Sequence, residues 1–245
     1  MSSHVRHHAL YRIVNAPVST HPFPHIYVRD VFPADFYREL RAHLPPTSAF
    51  DNPKKLSRVS ADYPDSRLIL PVTPDNVQAL DEPFRTFWTW VAREFLTGEF
   101  MQMMLSRFAA FLDQRWGGSI DGLKFHDEAL IVQDYSSYAL EPHTDVPAKV
   151  LSFLFYLPAD GSMSHLGTSI YAPKDPNFTC PRGMHYPFDQ FHLVTTMPYL
   201  PNALFAFVKT HRSFHGVEPI QEAGVRRDVL LYDIKVDNPP DFRRQ

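Results

Sequence analysis

The chain has 245 residues, 44% apolar and 21% charged, and a formal net charge of −3. That length suits one domain with a sizeable core, and the slight acidity argues against a general affinity for nucleic acid. A single cysteine, Cys180, excludes an internal disulfide and fits a reducing, cytoplasmic compartment.

The polar start, with His4, His7, His8 and His21, lacks the apolar stretch of a signal peptide and reads as a flexible terminus over residues 1–21. No apolar run reaches the ~18 residues that span a bilayer. With 23 prolines and 9 glycines, many turns must rest on Pro, Asp and Asn.

Residues 22–124 read as a helical part with one long loop. Ile26 to Val31 predicts a strand. Pro33 sits where a helix can begin, because its missing N–H is not needed there. Phe36, Leu40 and Leu44 follow at helical spacing, and Pro45-Pro46 ends the run. Residues 47–79 carry three Pro/Asp turn signals and Lys54, Lys55, Arg58 and Arg67; they are expected to form an irregular lid. Phe84, Phe87, Trp88, Val91 and Phe95 make one apolar stripe that Gly98 stops. Phe100, Met104, Phe108 and Phe111 make a second, ended by Gly117-Gly118. Both stripes are expected to pack on the outer face of a sheet.

From residue 125 to 237 the period changes to that of strands. Ala129–Tyr135, Val150–Leu157, Gly167–Tyr171, Ala203–Val208 and Arg227–Ile234 are predicted strands, with a loop over 173–189. In the second of these, Ser152, Leu154 and Tyr156 share one face, and Leu151, Phe153 and Phe155 the other.

The chemistry gathers at Pro142-His143-Thr144-Asp145 and at Phe214-His215-Gly216-Val217. Residues i and i+2 of a strand point to one side, so His143 and Asp145 can reach a single ion while Thr144 points away. His215 must come from a strand folded alongside. His211 would share its face and competes for the role. Two imidazoles and a carboxylate on one face of a metal, with the opposite positions open, suit non-haem Fe(II) chemistry. Downstream lie two adjacent cations, Arg226 and Arg227. They point to opposite faces of a strand, so only one can enter the fold's interior.

The stretch from about Ala129 to Asp233 resembles the Fe(II)/2-oxoglutarate-dependent dioxygenases, in their prolyl-hydroxylase-like branch. The resemblance rests on Tyr135, Pro142-His143-Thr144-Asp145, Phe155-Tyr156-Leu157-Pro158, His215-Gly216-Val217 and Gly224-Val225-Arg226. It implies an α+β, mainly β fold: a double-stranded β-helix, or jelly roll, with the N-terminal helices outside. It implies His143, Asp145 and His215 as iron ligands, the Gly-Val after His215 favouring it over His211. Its Gly-x-Arg pattern selects Arg226 over Arg227 for the distal carboxylate of 2-oxoglutarate, although Asp228 would then share that face. Tyr135, Tyr156 and Ser152 are the further co-substrate residues by this reading. The implied activity is hydroxylation with O2, releasing succinate and CO2, with ascorbate as a stimulant. The implied partner is a small molecule or a peptidyl or carrier-bound residue, with neither nucleic acid nor membrane involved. A zinc site on the same ligands would leave Arg226 and Tyr135 without a role. A non-catalytic jelly-roll module would not require the ligand set to be intact.

Overall fold

Alternating side chains in the second half of the chain build two antiparallel sheets in this structure, a computed structural model describing residues 3–59, 63–118 and 120–239. The larger sheet runs β1 (His25–Val28), β8 (Ala203–Val208), β5 (Lys149–Tyr156), β10 (Arg226–Val236), β3 (Phe125–Tyr135) and β2 (Arg67–Pro71). The smaller runs β4 (Leu140–His143), β9 (His215–Val217), β6 (Thr168–Pro173) and β7 (Phe191–Met197). A cavity of ≈ 330 Å³ is lined by residues of both sheets.

Strand parity assigns each residue of the large sheet to one of two environments. Along β10, Leu230, Tyr232, Ile234 and Val236 pack with the helices, while Arg227, Val229, Leu231, Asp233 and Lys235 line the cavity. Along β5, Leu151, Phe153 and Phe155 join the helices, and Ser152 and Leu154 face the cavity. Burying one such apolar side chain contributes roughly 1.5–3 kcal/mol, so a one-residue slip of a strand would forfeit several at once.

The helices form the outer layer. In α2 (Ala34–Ala42), Phe36, Tyr37 and Leu40 are buried. In α4 (Phe84–Glu94), Phe87, Trp88 and Val91 turn inward. The Thr97 side chain accepts the Phe100 backbone N–H at the start of α5 (Gly98–Trp116), and Gly117 closes it at φ 67°, a left-handed conformation suited to glycine. Among the described residues, no helix is long and apolar enough to cross a membrane.

Three expectations change. The N-terminal stretch is not a loose tail over residues 3–14. It forms α1 (Ser3–Val14), with Val5, Ala9, Leu10 and Ile13 at helical spacing buried in the same core as α5. Its histidines had masked that apolar stripe. The 47–79 loop contains strand β2 and the short α3 (Pro74–Gln78), capped by the Thr73 side chain. Residues 60–62 of that loop, with residues 1–2 and 240–245, lie outside the described residues. After the predicted Gly167–Tyr171 strand, seen as β6, and the 173–189 loop comes a further strand, β7, that the sequence pattern did not mark.

Candidate active site

His143 ends β4 and His215 opens β9, and the two pair directly across the ladder. Asp145 follows in the turn after β4. One nitrogen of each imidazole and one oxygen of the carboxylate lie within 4.8 Å of one another. Gly216 makes the close pairing of β4 and β9 feasible: a Cβ there would stand 2.4 Å from the Leu140 carbonyl oxygen. Thr144 turns away from the site, as expected, and donates to the Cys180 carbonyl at 2.5 Å.

The tautomers follow from the hydrogen bonds. His143 Nδ1 lies 3.0 Å from the Glu141 carbonyl oxygen, and His215 Nδ1 lies 3.0 Å from that of Ser213. A carbonyl only accepts, so both Nδ1 atoms carry the hydrogen and both Nε2 lone pairs are left for a metal. Burial lowers both imidazole pKa values; the other ring adds to this at His143, which lies well below the ordinary range. Burial alone would raise the Asp145 carboxyl, but the Lys149 ammonium beside it outweighs this and holds the group ionised. Ser152 Oγ donates to Asp145 Oδ2 at 3.0 Å, and Lys149 Nζ stands 3.1 Å from Oδ1 and 3.0 Å from Asp233 Oδ2. Two neutral imidazoles and an anionic carboxylate fit a first-row divalent cation such as Fe(II).

At the other end of the cavity lies Arg227, fully buried. Its Nη1 donates to Asp134 Oδ2 at 2.7 Å, its Nε to the Leu166 carbonyl at 2.8 Å and its Nη2 to Thr168 Oγ1 at 3.2 Å. Tyr156 lies beside it, the guanidinium carbon 5.5 Å from the ring centroid. The Tyr156 hydroxyl accepts the Thr168 N–H at 3.2 Å, keeping its own hydrogen to donate.

The expected facing of Arg226 is reversed. Its side chain is 44% exposed and bonds Asp228 Oδ2 at 3.2 Å. Even-numbered β10 residues belong to the helix side, because Leu230, Tyr232 and Ile234 fill the core there. Tyr135 moves with it. It pairs with Arg226 in the β3–β10 register, and its hydroxyl donates to Gln133 Oε1 at 2.7 Å on that same outer face. Asp134, the partner of Arg227 in register, lies on the opposite face, behind the arginine that lines the cavity. Ser152 lines the cavity, but bonded to the Asp145 carboxylate rather than near Arg227. His211 lies apart, lining a separate cavity with Phe23 and Arg115.

Sequence reasoning missed Lys149, Asp134 and His185. The last stacks on His143 with centroids 4.5 Å apart, and comes from the loop after β6, where no spacing marks it. Lys149 falls four residues after Asp145, but a lysine near a metal-ligand motif carries no signal until strand pairing is known.

Neither known protein families nor curated proteins supply a match to this sequence. Solved structures do. A Trichoplax adhaerens prolyl hydroxylase, solved with a hypoxia-inducible-factor oxygen degradation domain peptide fragment, superposes at TM-score 0.52 and 11% identity, covering 94% of this chain and 88% of that one. A Pseudomonas putida prolyl-4-hydroxylase gives 0.48 at 15% identity over 94% and 98%. A Burkholderia pseudomallei oxidoreductase of the 2OG-Fe(II) oxygenase family gives 0.49 at 12% identity over 90% and 88%. The chain thus has the double-stranded β-helix fold of the 2-oxoglutarate- and Fe(II)-dependent oxygenases, as the motif resemblance implied.

Proposed function

We propose that this protein is an Fe(II)- and 2-oxoglutarate-dependent oxygenase that hydroxylates an unactivated C–H bond of a small molecule or of a peptidyl or carrier-bound residue. One observation carries the reading: the three-ligand set and a fully buried arginine line the same cavity. A fold alone would not suffice, since one scaffold serves many chemistries.

His143, Asp145 and His215 would hold the metal. Arg227 would take the distal carboxylate of 2-oxoglutarate with its planar fork, and Tyr156 stands ready as a further donor. Ser152 and Lys149 orient the Asp145 carboxylate. Leu154, Val229, Leu231 and Phe207 form the apolar wall that excludes water. When bound, iron and 2-oxoglutarate supply the O2-dependent oxidation, releasing succinate and CO2. The Asp145 carboxylate fills the place that related halogenases leave small, which favours hydroxylation. Arg58, Glu128 and Lys235 line the cavity beyond the ligands, so a polar or charged substrate suits it. The one buried cysteine, Cys180, suits a cytoplasmic setting.

The test is succinate formation by purified protein given Fe(II), ascorbate and 2-oxoglutarate, with and without pyridine-2,4-dicarboxylate. Slow, inhibitor-sensitive turnover is expected even without the true substrate. No succinate, together with no 2-oxoglutarate binding to metal-loaded protein, would defeat the reading in favour of a plain metal-binding jelly roll.

A further inference from the structure

Asp134 carries more positive charge than it needs. It is fully buried, and Arg67 of β2 grips it with both prongs, Nε to Oδ1 at 2.6 Å and Nη2 to Oδ2 at 2.9 Å. Arg227 then donates to the same Oδ2. One bidentate arginine already satisfies a carboxylate. The second leaves a cluster of two guanidinium groups and one carboxylate, with net positive charge, on the cavity wall. A buried charge without compensation is strongly unfavourable, so the cluster is suited to receive an anion.

Arg67 is also aimed. Its Nη1 donates to the Tyr63 hydroxyl at 3.1 Å, and its guanidinium carbon lies 4.3 Å from the centre of the Tyr138 ring. The bonds described use one N–H on each nitrogen of both guanidiniums. Each Nη therefore keeps one further N–H that could meet a carboxylate oxygen.

Resting on the co-substrate reading above, we propose that Arg67 is a second binding residue for the distal carboxylate of the 2-oxo acid, and that Asp134 is the positioning residue holding both guanidiniums. The site then selects a dianionic 2-oxo acid by a pair of forks from opposite sides of Asp134. Because β2 is the edge strand, binding the co-substrate also fastens the N-terminal segment, including Tyr63, to the barrel.

The experiment is calorimetric titration of the Mn(II)-loaded full chain with 2-oxoglutarate and, separately, with oxalate. Oxalate can chelate the metal but has no distal carboxylate. Wild type should bind both. Arg67→Ala should weaken 2-oxoglutarate about 20-fold or more and oxalate less than about twofold, by the free-energy scale of a charge-assisted bond. Arg67→Lys should recover only part, because an ammonium lacks the fork. Asp134→Asn should likewise impair 2-oxoglutarate alone. Equal weakening of both ligands by Arg67→Ala would mark a merely structural arginine and overturn the proposal, as would no change in either.

The failures separate. Oxalate binding with no 2-oxoglutarate binding in the wild type would defeat the co-substrate reading itself. Loss of 2-oxoglutarate in Arg227→Ala but not in Arg67→Ala would leave that reading standing and defeat only this one. Should Arg67→Ala fail to fold, hydrogen exchange on the wild type decides. Residues Arg67–Pro71 should exchange more slowly with 2-oxoglutarate than with oxalate, and equal rates would overturn the proposal.

Discussion

The two ends of the cavity are built on different principles. At the metal end, His143 and Asp145 come from one turn, and His215 is brought beside them by one short ladder. Backbone geometry does most of the work there: two carbonyls fix two tautomers, and a glycine allows two strands to close. At the cationic end, Arg67, Asp134 and Arg227 come from three neighbouring strands of the large sheet and meet through side-chain charge. The local pair His143 and Asp145 keeps its spacing whatever the strand register, and only His215 depends on one ladder. A charge cluster assembled from three strands depends on register throughout, because a shift of one residue replaces Arg227 and Asp134 by Arg226 and Tyr135.

The largest effect should come from the metal end. His143→Ala, Asp145→Ala and His215→Ala should each lower turnover by about a thousandfold or more, since a facial triad has no spare ligand. Circular dichroism should show a retained fold. Normal hydroxylation by Asp145→Ala would break the ligand assignment. At the other end, Arg227→Ala should raise the 2-oxoglutarate requirement by about a hundredfold, equivalent to ~2.7 kcal/mol. Arg226→Ala should be mild, because its side chain is on the outer face, away from the cavity. Concentration series of 2-oxoglutarate for the two variants check this, and a critical Arg226 with a silent Arg227 would reverse the register described here.

That register was within reach of the sequence. Across positions 229–236, the even positions are Leu230, Tyr232, Ile234 and Val236, and the odd ones include Asp233 and Lys235. The uniformly apolar face must be the one under the helices, which sends Arg227 inward with Asp233. The family pattern Gly-x-Arg argued the other way, and Asp228 beside Arg226 was the sign of conflict. The His143, Asp145 and His215 cluster was legible because i, i+2 spacing puts the first two on one side of an extended chain and the Gly-Val pattern of the resemblance singles out His215 over His211. Arg67, Lys149 and His185 were not, because their roles depend on which strands and loops become neighbours. The α1 stripe was legible in principle but hidden among histidines.

Backbone dependence at the metal end can be tested directly. Gly216→Ala places a Cβ against the Leu140 carbonyl, so β4 and β9 must part. The expected loss is about 1–3 kcal/mol, as for other overpacked sites, with weaker metal binding as His143 and His215 separate. Urea denaturation and metal titration of the variant measure both. Unchanged metal affinity would show that the ladder is not what holds the ligands together.

The smallest expected effect concerns a second buried cation, behind the metal end. Lys209 is fully buried, and its Nζ donates to Thr144 Oγ1 at 2.8 Å, the Thr210 carbonyl at 2.9 Å and the Cys180 carbonyl at 3.3 Å. It thereby braces the residue between His143 and Asp145. Arg227 differs in having a carboxylate in direct contact and a charge that is effectively permanent. Burial, only partly opposed by Asp145, lowers the Lys209 pKa from 10.5 to about 7. Between those values the unfolded chain holds a proton that the folded chain does not, so stability rises with pH across that window. Below about 7 both states are protonated and the unfavourable contribution is fully present. Wild type should therefore gain on Lys209→Met by on the order of 1–2 kcal/mol as pH rises from 7 to about 8.5. Urea denaturation of metal-free protein at several pH values reads the difference, which cancels the titration of groups common to both. Parallel stability curves would mean that the three acceptors hold the ammonium at its ordinary pKa, and that the two ends differ less in their buried cations than their partners indicate.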